Sequence, residues 1–132
     1  MKILFVCSGN AYRSPLAEAL LKKLRSDLEI DSAGMHIIIP ISKQVREYLV
    51  KRNAAQYLKK NPQSIDEKNL REYDLIVAME RIHANSILRV CPECEAKLVV
   101  WNIEDPYFLG YDEAKNVYLY IENKVKELAK AL

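Results

Sequence analysis

Apolar residues fall along this chain in two alternating rhythms. Residues 2–7, KILFVC, form an unbroken apolar run rich in β-formers, the mark of a strand buried on both faces. Beyond a short polar stretch, Leu16, Leu20, Leu24 and Leu28 recur at four-residue spacing and Leu21 widens the stripe, which predicts an amphipathic helix over 15–28. Ser14 is placed to cap that helix and Pro15 to occupy its first position. A second strand is predicted over 29–32, closing on Gly34, followed by a helix over 42–52 and a short one over 66–72. YDLIVAM (73–79) predicts a third strand, 80–90 a helix, and KLVVW (97–101) a fourth strand. The last helix, 111–131, carries Ala114, Val117, Tyr118, Ile121, Val125 and Leu128 on one face.

Strands alternating with helices imply an α/β fold: a parallel sheet with helices on both faces, in three layers. No repeat, low-complexity tract or linker interrupts the pattern, so residues 1–132 read as one domain. In such sheets ligands sit at the carboxyl ends of the strands. Cys7 stands at one such end, and the segment 102–106 follows another.

Composition narrows the classes. Half of the residues are hydrophobic and 29% are charged, which excludes a disordered chain. No apolar stretch approaches the ~20 residues of a membrane span. MKILFVCSGN turns polar too soon for a secretory signal, so the expected location is cytoplasmic, away from membranes. The net charge of +2 decides little, but Lys and Arg interleave with Glu and Asp, as in KVKELAKAL. That is the pattern of solvated helix faces and not of a nucleic-acid stripe.

Three cysteines, Cys7, Cys91 and Cys94, argue against a disulfide scaffold. Cys91-Pro-Glu-Cys94 has metal-ligand spacing, but the remaining candidates, Cys7, His36 and His83, are scattered. The pair reads as two loop thiols able to form a local disulfide. His36 and His83 read as ordinary surface or satisfied core histidines.

The chemistry concentrates in CSGNAYRS, residues 7–14. A loop leaving a strand and entering a helix can turn successive amides of Ser8, Gly9, Asn10, Ala11 and Tyr12 toward one centre, where the helix N-terminus adds partial positive charge. Gly9 permits an unusual backbone or a close approach, and Asn10 tolerates a left-handed conformation. Arg13 offers a planar fork for two oxygens of a tetrahedral oxyanion, which lysine would not replace. Every part of this cradle favours negative charge on the Cys7 sulfur, and Ser14 can donate a hydrogen bond to it. An ionised sulfur under an oxyanion cup suits attack on phosphorus or arsenic. A phosphomonoester also needs an acid for its leaving oxygen. WNIEDPYF (101–108) supplies Asp105, held extended by Pro106, with Tyr107 and Phe108 to wall and dry the pocket.

Taken together, CSGNAYRSPLAEALL, DSAG (31–34), YDLIVAME (73–80) and EDPYFLG (104–110) resemble, in order and across essentially the whole chain, the low-molecular-weight protein tyrosine phosphatases. The resemblance implies a four-stranded, flavodoxin-like parallel sheet. It implies catalysis by Cys7, Arg13 and Asp105 through a phosphocysteine, with loop residues 8–12, Ser14 and Tyr107 binding substrate. Neither metal nor cofactor is called for, and the expected partners are phosphorylated proteins, with inorganic phosphate or similar oxyanions also binding in the loop.

The chain departs from the family at several points. Tyr12 stands where many members have a second cysteine. MHIIIP (35–40) lacks an aromatic at the pocket rim, and Ile37 to Ile39 read as core residues, with an apolar rim as the alternative. KKNPQS (59–64) lacks the histidine that braces the loop asparagine. Ala11 matches neither the threonine of phosphoarginine-specific relatives nor the bulkier aliphatic residue of tyrosine-specific ones. Two alternatives stay open beside a phosphotyrosine phosphatase: a phosphoarginine phosphatase, and an arsenate reductase with Cys91 and Cys94 as relay thiols. A silent phosphate-binding module is disfavoured, because the chain keeps both nucleophile and acid.

Overall fold

A computed structural model describes all 132 residues. Its regular elements are β1 (Lys2–Cys7), α1 (Arg13–Leu24), β2 (Glu29–Gly34), α2 (Lys43–Val50), β3 (Leu75–Ala78), α3 (Arg81–Val90), β4 (Leu98–Val100) and α4 (Tyr111–Ala131). The four strands form one all-parallel sheet in the order β2-β1-β3-β4. The chain first crosses from β1 to β2 on one side and then returns to β3 on the other. The carboxyl end of β1 is therefore the switch point where a crevice opens.

Alternation along β1 divides the core. Ile3, Phe5 and Cys7 face the larger cluster, into which α1, α2 and α4 send Leu16, Leu20, Val45, Leu49, Val117 and Ile121. Leu4 and Val6 face a smaller cluster with Leu70, Tyr73 and Ile87. The predicted three layers are thus present. No helix is long and apolar enough to cross a membrane.

Several boundaries move for identifiable reasons. Helix α1 begins at Arg13, with Tyr12 in the cap position making no side-chain cap bond, so Ser14 is not the cap. The hydroxyl of Ser14 is instead turned inward among buried groups. Helix α1 stops at Leu24, and Leu28 packs against the core from the following turn. In the turn after it, the guanidinium of Arg25 donates to both carboxylate oxygens of Asp27 and, through Nη1, to the carbonyls of Ala129 and Leu132 at the end of α4. The predicted helix over 66–72 is two 3-10 turns, Ile65–Glu67 and Leu70–Glu72, each capped by its own side chain, Ser64 or Asn69, and separated by the extended residue Lys68.

Cys91 and Cys94 form a disulfide with Cα atoms 5.4 Å apart. The local disulfide that the spacing allowed is thus formed, with Cys91 capping and Cys94 within the 3-10 turn Pro92–Lys97 between α3 and β4, and both sulfurs buried in the smaller cluster.

Gly34, at the end of β2, lies against the chain emerging from β1. A Cβ there would stand 2.6 Å from the amide nitrogen of Asn10 and 2.7 Å from the carbonyl carbon of Gly9. Backbone cannot yield as a flexible side chain can. Gly34→Ala is therefore expected to cost about 1–3 kcal/mol, as overpacking does, read as a lowered urea midpoint. An unchanged midpoint would show that the loop accommodates the methyl group.

Candidate active site

The segment between β1 and α1 folds with its carbonyls outward. Cys7 and Ser8 carbonyls accept from the amides of Met35 (3.1 Å) and His36 (2.9 Å), and the Ala11 carbonyl accepts from Ser42 at the start of α2 (3.0 Å). None of the amides of residues 8–12 donates to an acceptor of the protein. The loop is therefore a cup of unclaimed N–H groups, and Cys7 lies at its base with only 2% of its surface exposed. Asn10 is the residue that turns the chain, at φ 52°. Gly9 has no positive φ, and a Cβ there would meet only the His36 carbonyl, at an ordinary 3.7 Å. Neighbouring protein does not demand a glycine at that position, and the left-handed role expected of the loop falls to Asn10.

The Asn10 side chain orients the sulfur. Its Oδ1 accepts from the Gln63 amide (2.8 Å), which fixes the amide flip and leaves Nδ2 to donate to Ser14 Oγ (2.8 Å) and Ser32 Oγ (2.9 Å). Ser14 Oγ, having accepted from Asn10, has one proton to give. Cys7 Sγ at 2.9 Å is a closer acceptor than the Ala33 carbonyl at 3.4 Å. A thiolate at Cys7 can only accept, so Ser14 donates to the ionised sulfur; against the thiol the same contact runs in either direction. The Ser32 hydroxyl donates onward to buried Glu18 and receives a bond from Lys59 Nζ (3.2 Å). Burial pulls the Lys59 pKa down, against Glu18 and Asp31, which hold it up. KKNPQS lacks a bracing histidine, yet it braces the loop through the Gln63 backbone and Lys59.

Arg13 is 1% exposed and anchored from behind. Its Nη1 donates to Glu80 Oε2 (2.8 Å) and to the Ile103 carbonyl (2.7 Å), and its Nη2 donates to Ser8 Oγ (3.3 Å). The Nε–H and one Nη2–H remain without a hydrogen-bond acceptor, and those two make a side-on fork. Asp105 Oδ2 stands 3.6 Å from Nη2. Asp105 is extended (φ −76°, ψ 121°), as its following proline demands, and its Oδ1 accepts from the Tyr107 amide (3.0 Å), so the carboxyl is aimed and not free to swing.

His83 is not an ordinary core residue. Its Nδ1 accepts from the Glu80 amide (3.1 Å), so its Nε2 carries the proton and donates to Ser8 Oγ (2.9 Å). Ser8 Oγ then accepts from both His83 and Arg13, and its own proton is left for the pocket. Burial first, and then the charge of Arg13, push the His83 pKa down to about 4, with Glu80 and Asp105 opposing. His83, Glu80, Ser32, Glu18 and Gly34 were not identified as site residues from the sequence. DSAG and YDLIVAME contain three of them, but only as matched motifs.

The cup opens into a cavity of about 320 Å³. Tyr12, Tyr107, Ile38, Ile39 and His36 wall it, with Asp105 on one side. Tyr12, standing in place of a second cysteine, meets Tyr107 edge-to-face with ring centroids 6.2 Å apart. Ile37 and Ile38 are 40% and 84% exposed, so neither enters the core, and the rim is formed by Ile38 and Ile39. Both exposed residues fall on a stretch without regular structure, where no neighbouring element covers them. Another hollow, about 270 Å³ between α2 and α4, contains none of the loop residues. No three His, Cys, Asp or Glu side chains come together as metal ligands.

A thiol under a cup of free amides and a buried guanidinium, at the switch point of a parallel sheet, has the architecture of a cysteine-based phosphatase. The sequence profile described as "Low molecular weight phosphotyrosine protein phosphatase" matches residues 2–132, and the chain belongs to that family. It is 33% identical over 146 residues to the low molecular weight protein-tyrosine-phosphatase Wzb of Salmonella typhi, covering 99% of this chain and 93% of that protein. Vibrio vulnificus Wzb, solved in complex with benzylphosphonate, superposes with a TM-score of 0.88 at 28% identity, over 99% of this chain and 98% of that one. A cysteine-to-serine mutant of the YwlE arginine phosphatase, with a phosphorylated active site serine, superposes with a TM-score of 0.87 at 26% identity, over 100% and 95% of the two chains.

The neutral state of His83 has a measurable consequence. Between pH 6.5, its ordinary pKa, and about 4, the unfolded chain binds a proton there that the folded chain does not. Stability from this group is therefore lost as pH falls through that window and levels off below it. Urea denaturation at about pH 4.5 and 7 should show a smaller difference for His83→Gln, which retains a donor toward Ser8, than for the wild type. Equal differences would exclude His83 as the titrating group.

Proposed function

We propose that this phosphatase hydrolyses phosphomonoesters, protein phosphotyrosine foremost, through a phosphocysteine intermediate. The observation that carries the reading is the ring of five loop amides with no protein acceptor, set around the Cys7 sulfur. A phosphoryl group gives those donors their missing acceptors. The Nε–H and Nη2–H of Arg13 take two equatorial oxygens, and the Ser8 hydroxyl is available to a third. Cys7 Sγ attacks phosphorus in line. The bond to the leaving oxygen breaks, and Asp105 gives that oxygen its proton. Asp105 then takes a proton from water, whose oxygen attacks the phosphocysteine. The S–P bond breaks, releasing inorganic phosphate and the thiolate. The Ser14 donor favours the sulfur anion at both ends of this cycle.

Depth favours tyrosine: the sulfur is buried, and the walls of Tyr12, Tyr107, Ile38 and Ile39 suit an aromatic ring. Benzylphosphonate bound to Vibrio vulnificus Wzb fits the same expectation. The YwlE arginine phosphatase supports phosphoarginine as a second reading, and the phosphorylated serine of its mutant supports a covalent intermediate. Arsenate reduction is less well supported, because Cys91 and Cys94 are bonded to each other in the smaller core cluster, across the sheet from Cys7.

The test is hydrolysis of p-nitrophenyl phosphate from about pH 4.5 to 8 without metal. Cys7→Ser should abolish turnover, and Asp105→Asn should reduce kcat by roughly 10²–10⁴-fold, the range for loss of a general acid. A folded wild-type chain without turnover would overturn the proposal. Comparison of phosphotyrosine with phosphoarginine then separates the two substrate readings.

A further inference from the structure

A second hollow, of about 580 Å³, adjoins the catalytic cavity and shares Tyr12 and Ile39 with it. Pro40 continues its floor, and three cations line it: Lys43 and Arg46 from α2, and Lys60 from the segment after α2. All three side chains are exposed, and none forms an ion pair, although many other basic residues of the chain do so. No acidic residue lines this hollow. The acidic groups near the mouth come from another segment: Asp105 lines the catalytic cavity itself, and Glu104 beside it lines, with Glu113, a separate depression. A substrate entering the cup thus meets a field that runs from positive over α2 to negative at Asp105. The positive side is also fixed to the cup, because the Ser42 amide at the start of α2 donates to the Ala11 carbonyl of the loop (3.0 Å).

We propose that this groove is the docking surface for the polypeptide around the phosphorylated residue, and that it selects segments with acidic residues on one flank. The proposal rests on the protein-phosphotyrosine reading above and names its substrate class. With the phosphate in the cup and the ring against the wall that Tyr12, Tyr107, Ile38 and Ile39 form, the chain on the Tyr12 side leaves over Ile39 and Pro40. Carboxylates there meet Lys43, Arg46 and Lys60. The same carboxylates on the Asp105 side meet Asp105 and Glu104, so the field fixes the direction of the bound chain as well as its composition.

Three phosphotyrosine peptides of equal length separate the possibilities: acidic residues before the phosphotyrosine, acidic residues after it, and glutamine or asparagine at all those positions. The wild type is expected to prefer one acidic peptide over the neutral one by about fivefold or more in kcat/KM at low salt, the size expected of a few exposed charge pairs. That preference should fade at about 0.5 M salt. It should also vanish in the triple variant Lys43→Gln, Arg46→Gln, Lys60→Gln, whose p-nitrophenyl phosphate turnover stays at the wild-type level. Equal kcat/KM for all three peptides, or a preference that survives in the triple variant, would overturn the docking surface while leaving the phosphatase reading intact. Turnover of p-nitrophenyl phosphate but of none of the peptides would overturn the phosphotyrosine reading and the docking surface with it.

Discussion

Asn10 sits in the left-handed region with its side chain bonded to Gln63, Ser14 and Ser32, and those three bonds hold the loop in the one shape that turns its amides inward. A row of N–H groups without acceptors is costly beside buried structure. It persists here because the carbonyls of Cys7, Ser8 and Ala11 are tied outward to Met35, His36 and Ser42. The cup is therefore preorganised by bonds made behind it. Preorganised donors need no rearrangement when charge develops in a transition state. Gly34 completes the arrangement by letting β2 approach the backbone of Asn10 within the reach of a single methyl group.

Arg13 extends the same logic to charge. A buried guanidinium is expensive unless it is paired and its donors are satisfied. Glu80 and the Ile103 carbonyl satisfy Nη1, and they come from the ends of β3 and β4. Two of the five N–H groups are left over for a ligand. His83 serves the arrangement by remaining neutral beside Arg13, since a second positive charge would loosen both. Its single proton, directed at Ser8, adds one more donor to the cup without adding charge. Three strand ends, those of β1, β3 and β4, thus converge on one anion-sized space.

The sheet keeps this chemistry apart from its other sulfur. Cys7 belongs to the face packed by α1, α2 and α4, whereas Cys91 and Cys94 lie in the cluster under α3. A parallel sheet closed on both faces offers no short path between those sides. Cys7 and the disulfide therefore share a fold without sharing a pocket. Outside the cup, the hollow that adjoins it over Tyr12 and Ile39 is lined by Lys43, Arg46 and Lys60, whereas Asp105 stands in the cavity itself.

The run KILFVC, the leucine stripe after it and the alternation that follows sufficed to place every strand and long helix, because burial on a parallel sheet writes itself as local periodicity. Cys7 and Arg13 were legible as candidates from their place between a strand and a helix, and Asp105 from the resemblance more than from its Asp-Pro alone; the fold brings all three to one cavity. The role of Ser14 was half legible: its contact with the sulfur was foreseen, but not its exclusion from the cap, since its hydroxyl is taken up by Asn10 inside the loop. Arg25, just past the end of α1, pairs locally with Asp27 and also reaches the end of α4, a contact between residues more than a hundred positions apart that no local pattern announces. His83, Glu80, Glu18 and the backbone of Gln63 were invisible as site residues for the same reason. The sequence by itself determined which residues bear chemistry and which elements carry them. Only the tertiary structure decided which donors face which acceptors, because hydrogen bonds between distant segments depend on where the folded sheet brings their ends.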